Sequence, residues 1–200
     1  MIYVVDNFYS DFELQIVWKE LEYYSSLPNE YKDRAETTVV ATSQGKVLGK
    51  SYRVYLSELY TEKGLKYSHI TNLSYKLKDH TKEIENVLPN GRQFKDMNMV
   101  YDLISYYGPD DYYDTHYDLY QFTCLIWLYK EPKKFTGGDL FFPELNKNIQ
   151  LKNNRMIFFP GYLLHKVDKI NMSKQDFENG YGRYTVTHFV THGGKQNEVN

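Results

Sequence analysis

Three short stretches of this chain carry side chains whose types and spacing could do chemistry. The first is His116-Tyr117-Asp118. In an extended strand, residues i and i+2 share a face, so the imidazole and the carboxylate would project together. They would supply two-thirds of the 2-His-1-carboxylate set that holds non-haem Fe(II) on one octahedral face. The plainer reading is a pair on a surface strand. The second piece is His165, at the start of a β-candidate after the apolar run Phe158-Phe159-Pro160-Gly161-Tyr162-Leu163-Leu164. A lone His there is commonly a hydrogen-bonded core residue. What raises it is its place after the first pair, on a later strand of the same sheet system. The third is Arg183, which enters the β-branched stretch Tyr184-Thr185-Val186-Thr187. An inward-facing Arg needs a counter-anion, because a buried unpaired charge is strongly unfavourable. A ligand carboxylate would serve, through paired hydrogen bonds to the guanidinium. A rim Arg paired with a neighbouring Asp or Glu is the alternative.

The elements that must position these residues change character midway. Ile2 to Val5 reads as a short strand. Ser10-Asp11-Phe12-Glu13 has the form of a capping box, followed by Leu14, Val17, Trp18 and Leu21 at helical spacing, so a helix is predicted to about Tyr24. Thr37–Thr42 and Lys46–Leu48 are extended candidates around Ser43-Gln44-Gly45, a hairpin turn. Ile70, Leu73, Leu77, Ile84 and Val87 predict one longer helix over Ser68–Val87, closed by Pro89-Asn90-Gly91. Beyond it the period falls to two. Strands are predicted at Asn98–Tyr107, Tyr112–Asp118, Phe122–Tyr129, Asp139–Phe142, Asn148–Leu151, Met156–Phe159, Leu163–Val167 and Tyr184–Val190, with Gly, Pro and Asn turns between them. About eight short strands suggest a sandwich, jelly roll or barrel, with helices from the first half buttressing one face. The class is α+β with a β core.

Composition removes several functions. With 24 basic and 26 acidic residues the net charge is -2, so there is no electrostatic footprint for sequence-blind nucleic-acid binding. Gln121–Tyr129, the longest uncharged apolar run, is far short of the roughly 20 residues that span a bilayer. Cys124 is the only cysteine, so no internal disulfide forms, which fits a reducing compartment. The N-terminus lacks the basic and apolar segments of a signal peptide. No repeat or linker divides the chain, and residues 1–200 read as one soluble, cytoplasmic domain.

In order, the motifs resemble the prolyl 4-hydroxylase-like branch of the Fe(II)/2-oxoglutarate-dependent dioxygenases. Tyr107 lies nine residues and Tyr113 three residues before His116; then come Asp118, Gly137-Gly138, Phe142-Pro143, His165 and Arg183. The opening Val4-Val5-Asp6-Asn7-Phe8-Tyr9-Ser10 also looks like the start of that catalytic domain. The resemblance implies a double-stranded β-helix (jelly-roll) core with N-terminal buttressing helices. Three departures stand out. The cosubstrate anchor is often a Lys about ten residues past the distal His, whereas Arg183 is eighteen past it, which implies an inserted loop at Asn171–Tyr181 and makes Lys169 and Lys174 rivals. Leu140 takes a place where a small polar residue is common, and Asp110 stands where the Tyr-rich segment usually has glycine.

The resemblance further implies Fe(II) held by His116, Asp118 and His165, with 2-oxoglutarate gripped by Arg183, Tyr107 as second donor and Thr185 as helper. Dioxygen would complete the set, with ascorbate as reductant. The implied reaction hydroxylates a C–H bond and releases succinate and CO2. A prolyl residue in a peptide or protein is the leading substrate, with free proline, another amino acid or a small metabolite open. The nucleic-acid demethylase branch carries a second Arg six residues past the cosubstrate Arg, where this chain has Phe189. Thr37–Tyr52 and Lys130–Thr136 are candidate lids. The rival from another class is a cupin-like or lectin-like β-sandwich that binds without turnover.

Overall fold

Period-two alternation between two hydrophobic layers organises the second half of the chain. We describe a computed structural model, in which residues 1–26, 33–34, 42–43, 45–60 and 67–193 are described. Strand β1 (Tyr3–Asp6) leads into helix α1 (Asp11–Ser26). Short strands β2 (Asp33–Arg34), β3 (Thr42–Ser43), β4 (Lys46–Val47) and β5 (Gly49–Lys50) precede β6 (Tyr52–Tyr55). After a helical segment come β7 (Met99–Tyr107), β8 (Tyr112–His116), β9 (Phe122–Leu128), β10 (Leu140–Phe142), β11 (Lys147–Ile149), β12 (Arg155–Pro160), β13 (His165–Val167) and β14 (Arg183–Thr191). All eight strands predicted for this half are present, with ends shifted by up to two residues.

Two large antiparallel sheets result, in the orders β1-β12-β9-β14-β7-β6-β2 and β11-β10-β13-β8-β5, with β3 and β4 forming a separate two-stranded ribbon. The eight strands β7 to β14 contribute four to each, which is the double-stranded β-helix expected. Along β12, Met156 and Phe158 face the helices, while Ile157 and Phe159 face the second sheet. On β9, Cys124 and Ile126 take the outer face, and Leu125 and Trp127 the inner. Both faces are covered, so the strands read as continuous apolar runs rather than clean alternation.

Helix α1 starts as its sequence requires. The Ser10 amide donates to Glu13 Oε2 at 2.7 Å and the Glu13 amide to Ser10 Oγ at 3.4 Å, a reciprocal capping box. Its buried stripe, Val17, Leu21 and Tyr24, packs on the outer face of the larger sheet. The single helix predicted over Ser68–Val87 is instead three pieces: α-helix His69–Leu73, a 3-10 run Ser74–His80, and α-helix Thr81–Val87. A 3-10 run this long is uncommon. Two side-chain bonds anchor it: Lys78 Nζ donates to the Met97 carbonyl at 3.1 Å, and His80 Nδ1 lies 3.0 Å from the Tyr3 hydroxyl. The apolar spacing is still satisfied, with Ile70, Leu73, Leu77 and Ile84 all buried.

Of the predicted hairpin, Thr42 and Ser43 pair with Val47 and Lys46, and Gly45 has φ +78°. Residues 37–41 and 44 of that hairpin and first lid lie outside the described residues. In the second lid candidate, Phe135 is buried in the core and Thr136 bridges to Asn171. The implied insertion Asn171–Tyr181 is no plain polar loop. It contains a short helix, Lys174–Glu178, docked by Phe177, whose ring stacks on Tyr106 at 4.6 Å. No helix among the described residues is long and apolar enough to cross a membrane.

Candidate metal centre and its anion pocket

His116 closes β8 and His165 opens β13, and the two are direct partners in the antiparallel register. Such partners hold their Cβ atoms about 5 Å apart, and here the ring centroids lie 4.2 Å apart. Each ring is oriented by its own backbone. Nδ1 of His116 lies 2.8 Å from the Asp114 carbonyl, and Nδ1 of His165 lies 2.8 Å from the Leu163 carbonyl. Since a carbonyl only accepts, each Nδ1 carries the hydrogen, and each Nε2 keeps a lone pair for a metal. Burial, with His165 alongside, holds the His116 pKa down to about 3, so the ring is neutral near pH 7. Tyr113 stacks on it at 3.6 Å, nearly parallel.

Asp118 arrives differently from the sequence expectation. Strand β8 ends at His116, so Asp118 is not a strand residue. The chain stays beside the site because the Asp118 amide donates to the Gly161 carbonyl at 2.8 Å. Its Oδ1 lies 3.8 Å from His116 Nε2 and its Oδ2 3.6 Å from His165 Nε2. The Thr123 hydroxyl donates to Oδ2 at 2.6 Å and orients the carboxylate. The three donor atoms all lie within 4.8 Å of one another. Two imidazole nitrogens and one carboxylate oxygen converging from one side fit the facial set for non-haem Fe(II).

Arg183 opens β14 opposite Tyr107 on β7. It is 1% exposed, and its guanidinium carbon lies 4.8 Å from the Tyr107 ring centroid and 5.4 Å from that of Trp127. Nη1 donates to Thr185 Oγ1 at 2.7 Å, while Nε and Nη2 have no hydrogen-bond partner. Among the described residues, no carboxylate forms an ion pair with it. Burial lowers its pKa to about 10, against the opposing influence of Tyr107 and Asp139, so it stays charged near pH 7. A buried cation with unused donors fits a ligand carboxylate. The Gly137-Gly138 turn makes room for it. Both glycines have positive φ, and a Cβ at Gly138 would stand 2.9 Å from Arg183 Cδ. The rival lysines are elsewhere: Lys169 pairs with Asp110, Lys174 with Glu178, and both are exposed. Asp110 has φ +65°, the left-handed backbone for which glycine is the usual residue and which Asp tolerates.

One cavity of about 50 Å³, open at its mouth, is lined by His116, Asp118, His165, Tyr107, Arg183 and Thr185, so every sequence-predicted site residue meets there. A seventh lining residue, Arg53, is not among those the sequence singles out. The available signal was the one that flagged Arg183, a charge inside an aromatic, β-branched run, here Tyr52-Arg53-Val54-Tyr55. The pairing of Arg53 with Ser105 on β7 and with Asp33 on β2 shows which face it takes.

Residues 102–191 match the family described as the 2OG-Fe(II) oxygenase superfamily. No curated protein matches the sequence. Among solved structures, the chain is similar to a viral collagen prolyl hydroxylase from Paramecium Bursaria Chlorella virus-1 in its 2OG complex, at 15% identity and TM-score 0.55, covering 96% of each chain. It is also similar to a Pseudomonas putida prolyl-4-hydroxylase, at 12% identity and TM-score 0.61, covering 96% of this chain and 93% of that one. A third is a 2OG-Fe(II) oxygenase family oxidoreductase from Burkholderia pseudomallei, at 14% identity and TM-score 0.60, covering 96% and 86%. At these identities the likeness is one of fold.

Proposed function

Because residues 102–191 belong to the 2OG-Fe(II) oxygenase superfamily, an enzyme family, we propose that this oxygenase hydroxylates a C–H bond of a prolyl residue in a peptide or protein. The observation that supports the cofactor pair is the convergence of two His Nε2 atoms and a carboxylate in the cavity that holds the buried Arg183, whose Nε and Nη2 have no hydrogen-bond partner. The prolyl assignment draws on the two solved prolyl hydroxylases that share the fold.

In this reading His116, Asp118 and His165 would hold iron. When bound, iron with 2-oxoglutarate and dioxygen supplies the oxidising power for hydroxylation, with succinate and CO2 as co-products. The carbonyls of Asp114 and Leu163 keep both imidazoles in the ligating tautomer, and Thr123 holds the Asp118 carboxylate toward them. Arg183, held by Thr185 and backed by Tyr107 and Trp127, grips the distal carboxylate of 2-oxoglutarate, with the Tyr107 hydroxyl as second donor. Trp127 and Leu125 keep that end of the cavity dry. Ascorbate acts as reductant, residues 1–200 work as one domain, and the setting is the cytoplasm.

The test is anaerobic titration of the apo-protein with Fe(II) and 2-oxoglutarate, watching for the weak visible charge-transfer band of chelated cosubstrate. A band in the wild type that vanishes in His165→Ala supports the reading. Folded wild-type protein without a band would refute it in favour of a binding module.

A further inference from the structure

The insertion Asn171–Tyr181 separates His165 from Arg183, and the reading above leaves it without a task. It is tied down at both ends. Where it starts, the Ile170 amide donates to the Asp111 carbonyl at 2.9 Å, and Asn171 and Thr136 exchange two backbone hydrogen bonds at 3.0 Å. Ile170 belongs to the core between the two sheets, against Gly138, the glycine that also adjoins Arg183. The far end docks on the outer face of the larger sheet, at Tyr106 of β7. There the Tyr106 hydroxyl donates to the Phe177 carbonyl at 2.7 Å and accepts from the Gly182 amide at 3.2 Å. The Phe177 ring stacks on Tyr106 at 4.6 Å and on Tyr52 at 5.9 Å.

The segment therefore passes from the inner layer around the ends of β7 and β14 to the outer face, and one hydroxyl brackets it immediately before Arg183. Gly182 has no slack: a Cβ there would stand 2.5 Å from the Tyr107 carbonyl oxygen and 2.5 Å from Tyr106 Cε2. Arg183, next in the chain, is 1% exposed. Dry surroundings matter to its proposed task. Water reaching Nε and Nη2 would satisfy them and weaken their attraction for a carboxylate.

We infer that Asn171–Tyr181 is a strap that holds Arg183 in place for the carboxylate of 2-oxoglutarate, with Phe177 and Tyr106 as positioning residues. This rests on the oxygenase reading and goes beyond it, because cosubstrate affinity then depends on residues outside the cavity lining. The apparent affinity scales with the fraction of molecules whose strap is docked. The dependence is also reciprocal: if a docked strap favours 2-oxoglutarate, bound 2-oxoglutarate favours the docked strap by the same factor.

The experiment is anaerobic calorimetry of the full chain, first with Fe(II) and then with 2-oxoglutarate on the Fe(II)-loaded protein, joined to hydrogen exchange over residues 171–183. Phe177→Ala is expected to weaken 2-oxoglutarate binding about tenfold, with Fe(II) affinity moving by no more than about twofold. Tyr106→Phe keeps the ring and loses both hydrogen bonds, so it should weaken 2-oxoglutarate by a smaller factor; it carries the test alone if Phe177→Ala does not fold. Phe177→Tyr should keep the wild-type affinity. The strap amides of Phe177→Ala should exchange about tenfold faster than those of the wild type, and saturating 2-oxoglutarate should slow them again. Unchanged 2-oxoglutarate affinity in the folded variants would overturn the inference. So would a parallel loss of Fe(II) and 2-oxoglutarate affinity, which marks a merely structural role, or strap exchange in Phe177→Ala that ignores 2-oxoglutarate. Absence of the cosubstrate band in folded wild-type protein would instead defeat the oxygenase reading beneath it.

Discussion

Gly138 and Arg183 occupy adjoining space: a Cβ added to Gly138 would stand 2.9 Å from Arg183 Cδ and 2.7 Å from Ile170 Cδ1. The Gly-Gly turn, far in sequence from the proposed iron ligands, therefore sets where the guanidinium lies. Gly138 also has φ +83°, which a side chain rarely adopts. Gly138→Ala should weaken 2-oxoglutarate binding about tenfold and cost about 1–3 kcal/mol of stability. Charge-transfer titration and thermal unfolding measure the two effects separately. Unchanged cosubstrate affinity in the folded variant would show that the turn and the anchor are independent.

Removing the guanidinium itself should act mainly on cosubstrate binding. Arg183→Ala is expected to raise the apparent KM for 2-oxoglutarate by about 100-fold or more, because the lost contact is remote from the bond being made. Thr185→Val should raise it by a smaller factor, since Thr185 holds Nη1 at 2.7 Å. Steady-state kinetics at varied 2-oxoglutarate reads both. A comparable rise in Lys169→Ala or Lys174→Ala would assign the anchor to the exposed lysines instead.

The metal set makes a separate prediction. His116→Ala and Asp118→Ala should each abolish iron-dependent 2-oxoglutarate turnover, and chelation should do the same to the wild type until Fe(II) is restored. Thr123→Val removes the 2.6 Å hydrogen bond to Asp118, and outer partners of this kind typically contribute about 10–100-fold in metal affinity or activity. Metal titration with turnover assays checks the series. Full activity in either ligand variant would exclude the triad.

Acid sensitivity should arise partly far from the site. Asp6 on β1 accepts from Arg155 Nε at 2.6 Å and from Lys152 Nζ at 2.8 Å, and Asp6 and Arg155 are register partners on β1 and β12. These hydrogen bonds hold the Asp6 carboxyl well below the usual carboxylate range. A depressed pKa contributes stability that is present above about pH 4 and fades as pH falls toward the folded-state value. Because the pair is partly exposed and screened, Asp6→Asn should cost no more than about 1 kcal/mol at pH 7. That difference should shrink below pH 4. Denaturant unfolding at pH 7 and pH 3 tests it, and an equal difference at both would place the stabilisation outside the charge.

What could be read from the chain follows the range of the forces involved. The Ser10–Glu13 box, the turn at Gly45 and the period-two runs from Met99 to Thr191 are local, set by sterics and by hydrogen bonds a few residues apart. His116 and Asp118 could be paired on spacing alone, although the strand stops before Asp118 and a backbone bond to Gly161 holds it in place. The helix predicted over Ser68–Val87 is three pieces, and the bonds from the Lys78 and His80 side chains to Met97 and Tyr3 that anchor its middle run are non-local. The buried pair of His188 Nδ1 and Asp102 Oδ1, 2.6 Å apart on β14 and β7, likewise exists only through register.

The sequence by itself determined the class of fold, the succession of strands along the chain and the residue types of the proposed iron and carboxylate sites. Tertiary structure alone decided that His165 stands opposite His116, that Arg183 is the buried cation while Lys169 and Lys174 stay in water, and that Arg53 faces the same cavity. The physical reason is that strand pairing is non-local. A residue's face is fixed by alternation, but the partner across from it, and the loss of water around it, depend on which distant strand docks alongside.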